Sequence, residues 1–454
     1  MEELIMIIQA WKKVTVYLVV GLFLAGAVQV AVSISVQRTN DLIQSTGTRT
    51  SFDPFSEGWL YRKQITIDHT KVSGDLVNFP VLIHITDSDL PIRAQSNGND
   101  ILFMDGSGTA VQLHHEIEYY SSSSGELIAW VNIPSLSSTT DRIFYLYYGN
   151  KNAANQQNPE QTWDSNYVGV WHFGEQAGST VADSTEYAIT GTASSGAVVT
   201  TGFIGNARNF DGSTGSVDLG TSPLFGGMTA YSVEAWVNPS FISGETRIFD
   251  RGQSGYPNRV LFFQNYSWFR FQTNNNDNVQ QPHALTVGSW YYLGSTFIGS
   301  GGEVALYVNG VKGPTVTSTQ VGPTAGNIQT YIGATALQSG RKWHGMIDEV
   351  RFSKVARTSG WIATEYANQN APLSFMSIGP EEPIPLKKTI MFGKITNLDT
   401  IGTYTVFNAV NLRCIQFSPF GFIPLQSGEF IVVSNQYRGF ITPVRILAIC
   451  DAHV

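Results

Sequence analysis

The stretch that decides the fold runs over residues 171–351. It opens with Trp171-His172-Phe173-Gly174-Glu175 and closes with Gly345-Met346-Ile347-Asp348-Glu349-Val350-Arg351. Between them lie Asn209-Phe210-Asp211-Gly212, Ser232-Val233-Glu234-Ala235-Trp236-Val237, Trp290-Tyr291-Tyr292-Leu293 and Ala305-Leu306-Tyr307-Val308-Asn309-Gly310. In a strand successive side chains point to opposite faces, so Val233, Ala235 and Val237 share one face while Glu234 and Trp236 share the other. Asn309-Gly310 has the residues that a type I′ hairpin turn demands. Alternating segments joined by such turns predict an all-β sandwich, with two facing sheets taking up the apolar faces.

The rest of the 454-residue chain is long enough for further domains with cores of their own. Charged residues are 14% of it, against roughly 25% in ordinary soluble domains. Glycine (44 residues) and aromatics (12%) are plentiful, a balance that suits strands and turns. A net charge of -8, with no basic cluster beyond isolated pairs such as Lys12-Lys13 and Lys387-Lys388, argues against a nucleic-acid partner. The two cysteines, Cys414 and Cys450, both fall late, so no disulfide framework holds the main body; they form one bridge or remain two buried thiols.

Residues 14–36 are an apolar run behind Lys12-Lys13. As a helix the run would cover roughly 34 Å, enough for a bilayer core of about 30 Å. Residues 1–38 therefore read as a transmembrane anchor or, with Ala25-Gly26-Ala27 as a cleavage site, a signal peptide. In both cases the basic pair stays cytoplasmic and the chain beyond Arg38 is exported. Residues 39–56 are polar and read as a linker.

Residues 57–155 carry strand signals at 60–68, 79–85, 100–104, 112–120, 127–133 and 142–148, a β-sandwich pattern. Trp59-x-Tyr61-Arg62, Asn97-Gly98-Asn99-Asp100-Ile101-x-Phe103, His115-Glu116-Ile117-Glu118, Ala129-Trp130-Val131-x-Ile133-Pro134 and Tyr145-Leu146-Tyr147-Tyr148-Gly149-Asn150 resemble the domain of unknown function 2341. That resemblance implies no settled activity; it implies an exported prokaryotic protein in which a jelly roll comes next. Asp100, Glu116 and Glu118 read as a carboxylate site or, since Glu116 and Glu118 share a strand face, as that strand's solvated side.

The motifs of the opening stretch, with Ala182-Asp183-Ser184, Gly288-Ser289-Trp290 and Ile332-Gly333, are similar to the laminin-G-like, concanavalin A-like jelly roll, expected over residues 165–380. The resemblance opens three chemistries. Laminarinase-type hydrolases share the fold, but their Glu-x-Asp-x-x-Glu strand motif is absent, so the acid pair of a glycosidase is not visible. Related jelly rolls hold calcium between first and last strands, which implies Glu175 and Asp348 as ligands with Asp183 as a third; a salt bridge from Asp348 to Arg351 is the plainer reading. Glycan recognition needs aromatic faces with amides and charges around them, and Tyr266, Trp268, Arg270, Asn275 and Trp343 are candidates, although alternation equally predicts core positions for such aromatics. Asn265-Tyr266-Ser267 also fits a glycosylation sequon.

Residues 357–369 predict a helix capped by Thr358 or Ser359, with Ile362 and Tyr366 on one stripe and Ala371-Pro372 beyond its end. That helix and a strand at 375–379 are expected to serve the packing of the two domains. After a proline-bearing linker, residues 386–454 read as a small apolar β domain suited to a subunit contact, hence a homo-oligomer, or to a tight core. The sequence thus predicts a membrane-anchored or secreted, non-catalytic surface protein that binds glycans or glycoproteins. Its rivals are a structural subunit of an envelope, filament or virus particle, and a glycoside hydrolase.

Overall fold

A computed structural model describes residues 52–384, apart from 107–110, 243, 253–259, 267, 274–276, 281–284 and 336–339, together with four strands in the carboxy-terminal stretch. The chain divides into two units, one of them Thr50–Ile384. In the other, Thr389–Ile395 pairs with Val444–Cys450 and Tyr404–Phe407 with Cys414–Phe417, both antiparallel. The expected anchor or signal at residues 1–38 and most of the linker at 39–56 lie outside the described residues. Among the described residues, no helix is long and apolar enough to cross a membrane.

Thr50–Ile384 is all-β in its layers. Its first sandwich has a five-stranded sheet in the order Met376–Pro383, Tyr61–Ile67, Arg142–Tyr148, Leu102–Asp105, Gln112–Leu113, and a three-stranded sheet in the order Leu76–Thr86, Glu126–Leu136, His115–Tyr120. The expected strands are all present. Ile65, Ile67, Phe144 and Leu146 from the first sheet and Val81, Ile83, Ala129 and Val131 from the second meet in one core. One strand of the larger sheet comes from far away: Met376–Pro383 pairs with Tyr61–Ile67, from Tyr61↔Pro383 to Ile67↔Met376. The first sandwich is therefore closed by residues from beyond the jelly roll, and the jelly roll is an insertion within it. This divides the 165–380 span expected for the jelly roll, because ladder hydrogen bonds assign its last strand to the other domain.

The insertion has two large sheets. One runs in the order Ala197–Thr201, Asn206–Asp211, His344–Ser353, Ala230–Pro239, Tyr291–Ile298, Glu303–Val308, Val311–Thr317, with Tyr167–Trp171 also paired to His344–Ser353. The other runs Asp277–Gln280, Trp268–Thr273, Val260–Asn265, Glu245–Arg251, Ile328–Ile332, Val217–Ser222, Gly191–Ala193, Thr180–Val181. Val233, Ala235 and Val237 enter the core between them, as their alternation predicts. Asn309 (φ 52°) and Gly310 (φ 74°) link Val308 to its partner Val311, the left-handed pair of a type I′ turn.

The opposite face of Ala230–Pro239 is not solvated. Trp236, Tyr292 and Tyr307 join the core of the first sandwich, so four sheets stack in sequence and the middle two are covered on both faces. Strands in that position read as continuous apolar runs, as residues 127–131 within Glu126–Leu136 do. The helix Ser359–Asn370 is wedged at this junction. Thr358 caps it by accepting the Trp361 amide (3.1 Å). Asn368 bonds both the amide and the carbonyl of Leu82 (2.7 and 3.0 Å), while Gln369 accepts from the Trp236 indole (2.5 Å).

Candidate functional site

The junction of the four layers gathers a dense group of deeply buried charges. Consecutive strand residues normally face opposite ways, yet Asp348 and Glu349 both join one acidic group. A β-bulge explains this: Trp236 pairs with Asp348 but Glu234 pairs with Arg351, leaving one extra residue in His344–Ser353. Glu349 takes up the strain at φ 51°, and Phe173, at the end of the neighbouring strand, sits at φ 62°. Left-handed non-glycine residues cost about 1 to 3 kcal/mol and concentrate where a side chain must be re-aimed.

His172 is the centre. Its Nδ1 lies 2.8 and 3.0 Å from the two Glu349 carboxylate oxygens and 3.6 Å from Glu118 Oε2, while Nε2 lies 3.5 Å from Glu116 Oε2. The ring is stacked on Trp130 (centroids 5.6 Å apart) and tilted against Trp163 (5.3 Å). Those two indoles donate in turn to the carboxylates, Trp130 to Glu118 (3.1 Å) and Trp163 to Glu116 (2.9 Å), and Ser184 donates to Glu116 (2.6 Å). Glu116 and Glu118 come from the first sandwich, and His172 and Glu349 from the insertion. The reading of Glu116 and Glu118 as a solvated face is thus corrected. They do share a face, but that face is covered by the jelly roll, and the Glu118 side chain is only 2% exposed.

Burial drives the electrostatics. It pushes the Glu118 carboxyl well above the usual range, and the charge of Glu349 adds to this. Asp348 is pushed the same way by burial, Glu349 and Glu118, although the Phe203 and Ile204 amides donate to its Oδ2 (2.8 and 3.0 Å). For His172 burial alone would favour the neutral ring, but Glu349 and Glu116 outweigh it and hold the imidazolium well above its ordinary pKa. Glu118 Oε1 and Asp348 Oδ1 are buried with no hydrogen-bond partner. Gly205 leaves room for the former: a Cβ there would stand 2.7 Å from Oε1.

Arg351 extends the network to the helix. It pairs with Glu349 (2.7 Å) and Glu365, and its guanidinium lies over Trp130 (4.3 Å) and Trp163 (4.9 Å). The expected Asp348–Arg351 bridge gives way to Glu349, which shares a face with Arg351 at a spacing of two. Beyond it, Arg357 grips Asp164 with two bonds (2.9 and 3.0 Å). Glu234 is buried nearby, its carboxyl pushed up to about 8 by burial and by Glu365.

The other candidates fare differently. Asp183 has both oxygens engaged by its own loop, accepting the Val170, Thr185 and Ile189 amides and the Thr185 hydroxyl. Glu175 accepts the Ala182 amide (2.7 Å) and faces Arg208 at 3.6 Å. Among the described residues, the groups that bring three ligating side chains within 4.8 Å are Asp68–His69–Asp141 and Glu118–His172–Glu349, so the Glu175–Asp183–Asp348 clamp is not assembled as a cluster. Asp100 is a structural cap for the Gln95, Gly149 and Asn150 amides. Trp343 is fully buried between the jelly-roll sheets, which corrects its reading as a ligand contact: it fills the core. Tyr266 is 62% exposed at a hairpin tip. Trp268 and Arg270 are half-buried on the outward face of their strand, with Arg270 on Gln280 (2.5 Å). Asn275 lies outside the described residues. Sequence reasoning assigns no role to His172 and Glu349; the available signal is unpaired charge inside apolar strands.

Fold and junction together define a two-sandwich all-β protein whose second, jelly-roll sandwich is inserted into the first. Residues 97–188 match the model of the Domain of unknown function (DUF2341), and residues 211–363 match that of the Concanavalin A-like lectin/glucanases superfamily (Laminin_G_3), in the order expected from the sequence. The first match runs past residue 155 and includes Glu116, Glu118 and His172; the second includes Asp348, Glu349 and Arg351. No curated protein matches the chain. Among solved structures, domain 4 of the extracellular arabinanase AbnA from Geobacillus stearothermophilus, in complex with arabinotriose, is 21% identical, covering 44% of this chain and 98% of that one at a TM-score of 0.37. Trypanosoma rangeli sialidase is 15% identical over 46% of this chain and only 34% of its own (TM-score 0.36). The SAP-like pentraxin of Limulus polyphemus is 17% identical over 30% and 69% (TM-score 0.27).

Proposed function

We propose that the chain is a non-catalytic, extracytoplasmic protein whose jelly roll binds glycans of a cell surface, adhesin-fashion. The observation that carries this reading is the outward group Tyr266, Trp268 and Arg270 on a domain that matches a lectin and glucanase superfamily. A sugar ring presents an apolar C–H face that stacks on an indole or phenol, and hydroxyls that take hydrogen bonds from a guanidinium and from amides. Tyr266, 62% exposed, is held at φ 56° in the turn that links the paired residues Asn265 and Trp268.

Absence of catalysis is part of the proposal. Glycoside hydrolysis needs two carboxyls on either side of an open groove, about 5 to 10 Å apart. The carboxyls gathered at the junction, Glu118, Asp348 and Glu349, are covered by both sandwiches, and the strand motif that carries the acid pair in laminarinase-type hydrolases is absent. A glycan array probed with the full-length chain in mild detergent tests the reading. Binding to a defined set of glycans, weakened at least tenfold in Trp268→Ala, is expected. An array without signal, or affinity untouched by Trp268→Ala and Tyr266→Ala, would refute it.

A further inference from the structure

Glu118, His172 and Glu349 each bring one ligating atom to within 4.8 Å of the other two. The His172 Nδ1 distances to Glu349 Oε1 (2.8 Å) and Glu118 Oε2 (3.6 Å) bracket the separation of neighbouring donors around a tetrahedral ion, about 3.4 Å for bonds of about 2.1 Å. A side-chain cluster of this kind is often only an ion-pair network. Two further observations separate it from one. Glu118 Oε1 is a buried oxygen without a hydrogen-bond partner, on a side chain that is almost wholly covered. In addition, the acids outnumber their cations: Glu116, Glu118 and Glu349 face His172, with Arg351 shared between Glu349 and Glu365. Unpaired buried carboxylates are costly, and a bound cation removes that cost.

We propose that Glu118, His172 and Glu349 bind one divalent first-row transition-metal ion that joins the jelly roll to the sandwich around it, with water completing its coordination. The donors select the class. Calcium takes six to eight oxygens and has little use for imidazole, whereas nitrogen mixed with carboxylate suits zinc and its neighbours. The site differs from the calcium clamp expected within the jelly roll, because Glu118 belongs to the first sandwich and Asp183 takes no part. Its role is structural. The ligands arrive from three strands or strand ends, and the bulge at Glu349 and the left-handed Phe173 are the local deformations that turn them toward one another.

The test loads chelator-treated full-length chain, in detergent at pH 7.5, with Zn2+, and counts retained metal after dialysis by elemental analysis; Co2+ serves as the spectroscopic probe. About one equivalent of Zn2+, a Co2+ visible spectrum with nitrogen and oxygen ligation, and a melting temperature that falls on chelation and returns with Zn2+ are expected. Glu118→Gln keeps size and shape and should weaken uptake at least tenfold. His69→Ala, which dismantles the exposed Asp68–His69–Asp141 group, should leave it unchanged. Retention below a tenth of an equivalent, uptake indifferent to Glu118→Gln or lost in His69→Ala, or preference for Ca2+ over Zn2+ would each overturn the proposal. The chelator melt on the unmutated chain keeps the test decisive even where a variant fails to fold.

Discussion

Replacing Arg351 with methionine is the most direct probe of the junction. Arg351 is fully buried, pairs with Glu349 (2.7 Å) and Glu365, and covers Trp130 and Trp163 with its guanidinium. Methionine preserves much of the volume but takes the cation from Glu365 and leaves Glu349 with His172 alone. Removing one partner of a buried ion pair costs roughly 3 to 5 kcal/mol, because the remaining charge keeps its desolvation penalty. At about 2.1 cal/mol/K per residue, a unit of roughly 330 residues such as Thr50–Ile384 has an unfolding entropy of about 0.7 kcal/mol/K. A loss of about 4 kcal/mol therefore lowers the melting temperature by about 6 °C. The assay is urea unfolding followed by tryptophan fluorescence and far-UV circular dichroism, whose transitions must coincide for the free energy to be defined. Glu365→Gln in the Arg351→Met background should regain at least about 1 kcal/mol, since it removes one stranded charge. A loss below about 1 kcal/mol for Arg351→Met, or no recovery in the double variant, would show that the pair contributes no more than an exposed one and refute the reasoning.

Glu234 supplies a pH dependence. Its carboxyl is held up at about 8 by burial first and by Glu365 second, with Arg357 and Arg351 opposing. From about pH 4.5 upward the unfolded chain gives up this proton while the folded chain keeps it, so stability falls as the pH rises toward about 8 and the effect then levels off. Within that window each pH unit costs up to about 1.4 kcal/mol, and Glu234→Gln should flatten the slope of urea midpoints measured from pH 5 to 8; an unchanged slope would count against the assignment. Trp343→Ala empties a fully buried position between the jelly-roll sheets. It should cost about 3 to 5 kcal/mol in the same urea assay and leave the affinity for any array-positive glycan within twofold, whereas a selective loss of binding without destabilisation would restore Trp343 to the ligand site.

How far the sequence carried depended on whether a feature was local. Strand positions from Tyr61–Ile67 to Arg142–Tyr148, the Asn309-Gly310 turn and the Thr358 cap follow from periodicity and from the conformational needs of single residues, and all are present. What was not legible is what covers a face. Alternation correctly sets Glu234 and Trp236 opposite Val233 and Ala235, but it says nothing about whether the polar side meets water or another domain. The same limit misreads Glu116 and Glu118, and lets Trp343 pass for a surface aromatic. Nor does spacing disclose a bulge: Asp348 and Glu349 are adjacent, so period two sends them apart, and only the extra residue opposite Ala235 brings both into the junction. Finally, the return of Met376–Pro383 to Tyr61–Ile67 spans more than three hundred positions, a pairing that no local pattern encodes.

That return gives the buried charge a topological reason. A domain inserted into a closed sandwich must leave and re-enter at neighbouring points, or the host strands cannot pair. The two crossings are visible: Asp164 stands just before the first strand of the insertion, Tyr167–Trp171, and Arg357 just after the last, His344–Ser353. Their bidentate bond, with Arg357 also lying over Tyr167 (4.3 Å) and Trp361 (4.0 Å), ties exit to entrance, and the Lys354 amide donates to the Asn166 carbonyl (2.7 Å) beside it. Apolar contact alone would hold these faces together but would tolerate sliding, since it is non-directional. The Ser184 bond to Glu116 on the host, the ion pairs of His172 with Glu116 and Glu118, and the bonds that join His172, Glu349 and Arg351 on the insertion to Glu365 on the returning helix fix one register among three separate segments. The polar junction is therefore placed where the topology needs orientation rather than adhesion, and this is why it lies between the domains instead of at an exposed surface.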